Sequence, residues 1–242
     1  MQKYKKIKNL KTWDKKTWIS SKKYINKINK FIVKNSQLNQ TSRILDIGCG
    51  RGKIIGQLKS ELKLNFKPFG IDKIKHKDLD KRIIFKRDIE KFFKNNSIHF
   101  DLILIKQTIH LFEKTFIKKL LHKSTKLLNK NGVILIMNIN SDNYKMPLFK
   151  KIKLAFEKSL INNKKKINYI ISLYPNAVIK KFTFNVKINK EKYLKWINNR
   201  FMSCLLDSKK TDLKKNKEEI NKKYKNNIYF KDNLFCIILK PN

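Results

Sequence analysis

Cysteine is scarce: Cys49, Cys204 and Cys236 lie far apart and form no Cys-x-x-Cys pair. The four histidines, His76, His99, His110 and His122, show no paired spacing either. Neither a zinc site nor a disulfide framework is therefore expected. No apolar run approaches the roughly 18–20 residues that span a bilayer. The lysine-rich start, Met1 to Lys11, leads into no apolar signal-peptide core. It also lacks the Arg and Ser of a transit peptide. These absences predict a soluble, cytoplasmic chain with no transmembrane segment and no metal. Alanine occurs only at Ala155 and Ala177, and arginine only at Arg43, Arg51, Arg82, Arg87 and Arg200.

Acid is also sparse. Eighteen Asp and Glu face 59 Lys and Arg, a formal charge of +41. Such a charge invites a nucleic-acid reading. The excess is nearly all lysine, however, and is spread along the whole chain. Specific nucleic-acid sites favour the planar fork of Arg. Lys, Asn and Ile have A/T-rich codons, so a biased genome accounts for the composition without a partner. No specific nucleic acid is expected, but nonspecific, salt-sensitive sticking is.

What is present is an alternation. The 242 residues, 41% hydrophobic, suit a single α/β domain. Residues 1–40 read as helix, with Trp13, Trp18, Tyr24, Ile28 and Phe31 at near-helical spacing. Strands are predicted at 43–47, 67–71, 83–86, 101–106 and 133–138, with helices at 53–63, after Asp88, and at 113–128. Asn131-Gly132 reads as the turn before the fifth strand. This β-α-β order calls for a parallel sheet covered by helices. Beyond residue 140 the pattern loosens. A helix from Pro147 to about Asn162, a strand at 178–188, helices at 191–206 and 211–225, and a strand within 229–239 are expected. Lysine runs such as 164–166 read as solvated loops or helix faces.

Glycine is rare, yet three of the six fall within five residues, Gly48, Gly50 and Gly52. They follow the apolar run Ile44-Leu45-Asp46-Ile47. A buried strand turning sharply into a helix fits this pattern, with backbone left bare for a ligand. The dinucleotide fingerprint Gly-x-Gly-x-x-Gly fails, because its third position is Lys53.

The spacing Asp-x-Gly-x-Gly-x-Gly, from Asp46 to Gly52, resembles the first motif of the class I S-adenosylmethionine-dependent methyltransferases. The resemblance covers about residues 40–140, and the remainder only in outline. It implies a Rossmann-like seven-stranded, mostly parallel sheet with helices on both faces, in strand order 3-2-1-4-5-7-6. It implies one domain over 1–242, with a helical cap at 1–40, a cofactor core at 41–140 and substrate-side elements at 141–242. S-adenosyl-L-methionine would be the cofactor. By resemblance Asp46 orients its methionine amino end, Asp72 accepts from the ribose hydroxyls, and Asp88 takes the adenine amino group. Asp suits the ribose because an ionised carboxylate only accepts. The implied donor-binding set is Asp46, Gly48, Cys49, Gly50, Gly52, Asp72, Lys73, Asp88, Ile89, Lys106 and Gln107. Read from the residues alone, Asp72 is also an exposed turn residue and Asp88 a helix N-cap.

The loop Lys106-Gln107-Thr108-Ile109-His110 narrows the chemistry. The Asn-Pro-Pro-Tyr motif of base-amino methyltransferases is absent, and so is the Pro-Cys nucleophile of cytosine-C5 enzymes. Gln107-x-x-His110 resembles small-molecule methyltransferases. Trp13-Asp14, Trp18 and Tyr24, with Tyr193 and Trp196-Ile197, are similar to the trans-aconitate methyltransferase type. His110 is the candidate general base, with a helix-start or packing role as its alternative. Trp13, Trp18 and His110 are candidates for the substrate pocket, the tryptophans also reading as the apolar face of a docking helix. The expected activity is methyl transfer to O or N of a small molecule, with a carboxylate the most economical acceptor. An RNA methyltransferase using the basic surface and a non-catalytic cofactor-binding subunit are the alternatives.

Overall fold

The computed structural model describes residues 17–241. Its strands are β1 (Ile44–Ile47), β2 (Phe69–Ile71), β3 (Ile84–Lys86), β4 (Phe100–Lys106), β5 (Leu128–Ile139), β6 (Val178–Asn189) and β7 (Asn227–Leu239). Its helices are α1 (Lys22–Lys34), α2 (Lys53–Glu61), α3 (Ile89–Asn95), α4 (Lys114–Lys126), α5 (Lys150–Leu173), α6 (Lys190–Asn198) and α7 (Lys210–Lys223). The strands form one sheet in the order β3-β2-β1-β4-β5-β7-β6. β1 pairs in parallel with β2 and β4, β2 with β3, and β4 with β5, while β7 runs antiparallel to β5. This is the Rossmann-like order that the resemblance implies. Helical crossovers let neighbouring strands run parallel.

The chain divides into two compact units. One comprises residues 25–139, 165–182 and those from 234 onward. Its strands alternate side chains between faces. Leu45, Ile47, Ile103, Ile105, Ile134 and Ile136 join a core with Phe92 of α3, Leu120 and Leu121 of α4, and Ile170 of α5. The intervening Ile44, Leu102, Leu104 and Leu135 are buried as well, so both faces are covered. Each such burial contributes about 1.5–3 kcal/mol. α1 is tied to α2 through Asn29, which donates to Glu61 Oε2 at 3.1 Å and Ile54 O at 3.4 Å.

The second unit takes the described residues up to Tyr24, with 140–164 and 183–233. Its centre is aromatic. The Trp18 ring meets Trp196, Phe201 and Phe230 at centroid distances of 5.4, 5.5 and 5.2 Å. Asp232 is fully buried and accepts from Trp18 Nε1 at 2.9 Å and the Tyr144 hydroxyl at 3.1 Å.

Several sequence expectations need correction. The described part of the N-terminal helix is a 3₁₀ turn at Trp18–Ser20 followed by α1. Ser21 Oγ accepts from the Tyr24 N–H and starts that helix. Residues 1–16, with Trp13, lie outside the described residues. Asn131-Gly132 does not precede β5 but lies inside it, where the pairing shifts between Phe100 and Leu102. A Cβ on Gly132 would stand 2.6 Å from Phe100 O, so only glycine lets the strands pass. The helix expected from Pro147 starts at Lys150 and runs on to Leu173. The helix expected at 191–206 stops at Asn198, before Arg200 adopts φ +49°.

Candidate active site

β1 ends against the glycine loop. Gly48, Gly50 and Gly52 have φ of +83°, +54° and +67°, where side chains are strained. The Gly48 and Cys49 N–H groups both donate to Ile71 O, at 2.7 and 3.1 Å, pinning the loop to the end of β2. A Cβ on Gly48 would come within 2.0 Å of Thr108 Oγ1, whereas one on Gly50 would meet nothing within 4 Å. The loop is thus packed tightly on one side and open above Gly50.

Asp46 is 3% exposed, and its Oδ1 has no hydrogen-bond partner. Burial pushes its carboxyl up to about 7; Lys106 opposes this shift and Asp72 adds to it. Asp72 holds the loop in place. Its Oδ2 accepts from Gly50 N–H and its Oδ1 from Ile74 N–H, both at 2.9 Å. Each carboxylate oxygen keeps a further lone pair for a ligand. Asp88 is exposed and caps α3, with Oδ1 accepting from Glu90 N–H at 2.9 Å and Lys91 N–H at 3.0 Å. The Lys91 bond, above all, holds its carboxyl below the usual range.

On the β4 loop, Lys106 Nζ donates to Gln107 Oε1 at 2.8 Å. Gln107 turns through φ +51°, and its N–H donates to Met137 O at 2.7 Å. Half-buried His110 lies on the 3₁₀ turn Ile109–Leu111. Lys166 Nζ donates to the carbonyls of His110 and Phe112 and so fixes that turn. One lysine of the run read as solvated is therefore a strut, while Lys164 pairs with Asp142 at 2.7 Å.

The structure brings together Asp46, the three glycines, Asp72 and Lys106. Cys49 packs toward Gly70, and burial raises its thiol far above the ordinary value, so it is no nucleophile at neutral pH. Lys73 is exposed, and Ile89 packs against the core. Trp18 lies in the aromatic centre of the other unit. Sequence reasoning passed over Thr108 and Lys166. It also missed buried Asp80, whose Oδ2 takes Arg82 Nη2 at 2.7 Å and lies 3.7 Å from Lys53 Nζ. Burial opposes ionisation there, but Arg82 brings the carboxyl below its ordinary range. A Cβ on Gly56 would stand 2.5 Å from Asp80 Cγ, so α2 seats directly on this group. Asp80→Asn is expected to cost about 1–3 kcal/mol. A lower urea midpoint with unchanged slope would report it.

A buried carboxylate oxygen without a partner is costly. A ligand ammonium would satisfy Asp46 Oδ1, and the bare backbone above Gly50 leaves room for it. The donor set is oxygen and backbone N–H, and no group of three His, Cys, Asp or Glu among the described residues could hold a metal. No helix among them is long and apolar enough to cross a membrane.

Sheet order, glycine loop and paired acids together define a class I, S-adenosylmethionine-dependent methyltransferase. A methyltransferase-domain profile matches residues 38–200, and the chain belongs to that family. Among solved structures, it is similar to precorrin-6y C5,15-methyltransferase from Geobacter metallireducens, at 11% identity and a TM-score of 0.52, covering 93% of this chain and 92% of that one. A SAM-dependent methyltransferase from Thiobacillus denitrificans, in complex with S-adenosyl-L-homocysteine, gives 10%, 0.50, and coverage of 91% and 92%. The plantazolicin methyltransferase BpumL, in complex with a pentazolic desmethylPZN analog and SAH, gives 17%, 0.50, and coverage of 99% and 97%. At these identities the likeness is one of fold. No curated protein matches the sequence.

Proposed function

We propose that the enzyme methylates an oxygen or nitrogen of a small molecule in the cytoplasm, with a carboxylate the acceptor that asks least of the site. The unpartnered Oδ1 of buried Asp46 beside the open glycine loop carries the donor half of this reading. Asp46 takes the ammonium of the donor's methionine end, Asp72 its ribose, and Asp88 with the Ile89 N–H its adenine, while Gly48, Cys49, Gly50 and Gly52 give it backbone to lie on. Lys73 flanks the ribose acid, and Lys106 and Gln107 face the reacting end. The bound donor supplies a methyl already activated on a sulfonium, open to in-line displacement.

The protein's part is then mostly positioning of the acceptor. A carboxylate acceptor brings its own lone pair and needs no base. A hydroxyl or ammonium acceptor must lose a proton, and His110 is the side chain in the β4 loop suited to take it. The strut from Lys166 keeps its turn fixed while it does so.

Labelled methyl transferred from S-adenosylmethionine into a host extract, fractionated into small molecules, lipid and RNA, tests this. Base-labile label in the small-molecule fraction is expected for carboxyl methylation. Asp72→Ala should reduce it by more than tenfold, through loss of the loop anchor and a charge-assisted ligand bond. Label confined to RNA would sink the small-molecule reading.

A further inference from the structure

β6 and β7 lie side by side in the sheet. Within the second unit, their Thr183–Asn233 and Lys187–Tyr229 contacts run antiparallel along the pair. Alternate residues turn inward: Val186, Ile188, Ile228 and Phe230 are buried, and so is Asp232. The outward positions are polar or cationic: Thr183, Asn185 and Lys187 on β6, with Lys231 on β7. Tyr229 breaks that rule. It occupies an outward position, 60% exposed, with the Lys187 ammonium 5.6 Å from its ring centroid.

Among the described residues of the two strands, no acid lies on this face. The only carboxylate in either stretch is Asp232, and it points inward to Trp18 and Tyr144. Elsewhere in the same unit some lysines are answered locally. Lys150 pairs with Glu219, Lys151 with Asp212 and Lys153 with Glu157. An open aromatic ring flanked by exposed cations and by hydroxyl and amide side chains matches a base and its phosphate together. Stacking on an aromatic ring tolerates any base, and lysines track the backbone without reading sequence.

We propose that this face of β6 and β7, centred on Tyr229, binds single-stranded nucleic acid. The base stacks on Tyr229, Lys187 and Lys231 meet the flanking phosphates, and Asn185 and Thr183 supply hydrogen bonds. The proposal is independent of the acceptor reading, because binding is measured without a methyl donor.

The test is fluorescence anisotropy of a labelled oligouridine, at about 0.3 M salt, where diffuse charge attraction is weakened. Wild type is expected to bind. Tyr229→Ala should weaken binding about tenfold, and Tyr229→Phe, which keeps the ring, by no more than about twofold. The pair Lys187→Gln and Lys231→Gln should flatten the salt dependence, while Lys151→Gln should leave it as it was. Heparin, a polyanion without bases, should bind wild type and Tyr229→Ala alike. The proposal is overturned if wild type fails to bind oligouridine at this salt, if Tyr229→Ala binds it as wild type does, or if heparin binding falls in parallel.

Discussion

Gly48→Ala is expected to destabilise the protein by about 2–5 kcal/mol and to remove measurable donor binding. Two costs add. The backbone sits at φ +83°, where a side chain is strained by about 1–2 kcal/mol. The new methyl would also press into Thr108, with Oγ1 at 2.0 Å, Cγ2 at 2.5 Å and Cβ at 2.8 Å. Thr108 is buried, and its hydroxyl donates to Lys106 O at 3.0 Å, so it has little room to retreat. The loop must shift instead, and the bond from Gly50 N–H to Asp72 shifts with it. Combining Gly48→Ala with Thr108→Gly should recover the steric part but not the backbone strain, a coupling that a double-mutant cycle reads directly. Thermal melts and calorimetric titration with S-adenosylmethionine measure both effects. A single variant with wild-type melting and affinity would show that the loop is not held as described.

Donor affinity should rise with pH and level off near neutrality. Asp46 has its ordinary value of 3.8 raised to about 7 by burial, by Asp72, and against Lys106. A ligand ammonium requires the ionised form. Below pH 7 the protein must first release that proton, so affinity should fall by about tenfold per unit, reaching roughly thirtyfold at pH 5.5. The sign for folding is opposite. A carboxyl whose folded pKa is raised favours the native state at low pH. That contribution is complete below about 4 and is lost as pH rises through about 7. Donor-free protein thus gives up stability over the window in which it gains affinity. Titrations in two buffers of different ionisation enthalpy should show close to one proton released per donor bound at pH 5.5 and almost none above pH 8. Asp46→Asn should abolish the pH slope and bind weakly throughout. Proton release that is absent in wild type, or unchanged in Asp46→Asn, would refute the linkage.

The glycine loop was legible because its demands fall on residue type. Positive φ at three positions leaves glycine as the ordinary choice, and an acid at the end of an apolar strand stands out. The alternation made a parallel sheet legible in the same way, while the strand order came from the resemblance. Thr108 was invisible because its part is steric and reaches across to a loop glycine sixty residues earlier. Lys166 was hidden by its own kind, one lysine in a run of three, distinguished only by which carbonyls it reaches. Asp88 shows both of its readable faces, since the carboxylate that the resemblance assigns to adenine also caps α3. The overlong α5 and the truncated α6 mark where local pattern failed. The lysine-rich stretch after Leu160 continues a helix, and Arg200 ends one without proline or glycine to announce it.

The bond from Trp18 to Asp232 closes a span of 214 residues. The aromatic unit around it is assembled from three separated stretches, and the last of them ends at Asn233. On a ribosome that unit has no route to completion until nearly the whole described chain has emerged. The strands β1, β2 and β4, by contrast, lie within about sixty residues of one another and can pair early. Synthesis would therefore produce the glycine-loop scaffold first, with Trp18 waiting, apolar and unburied, for the carboxylate that arrives last.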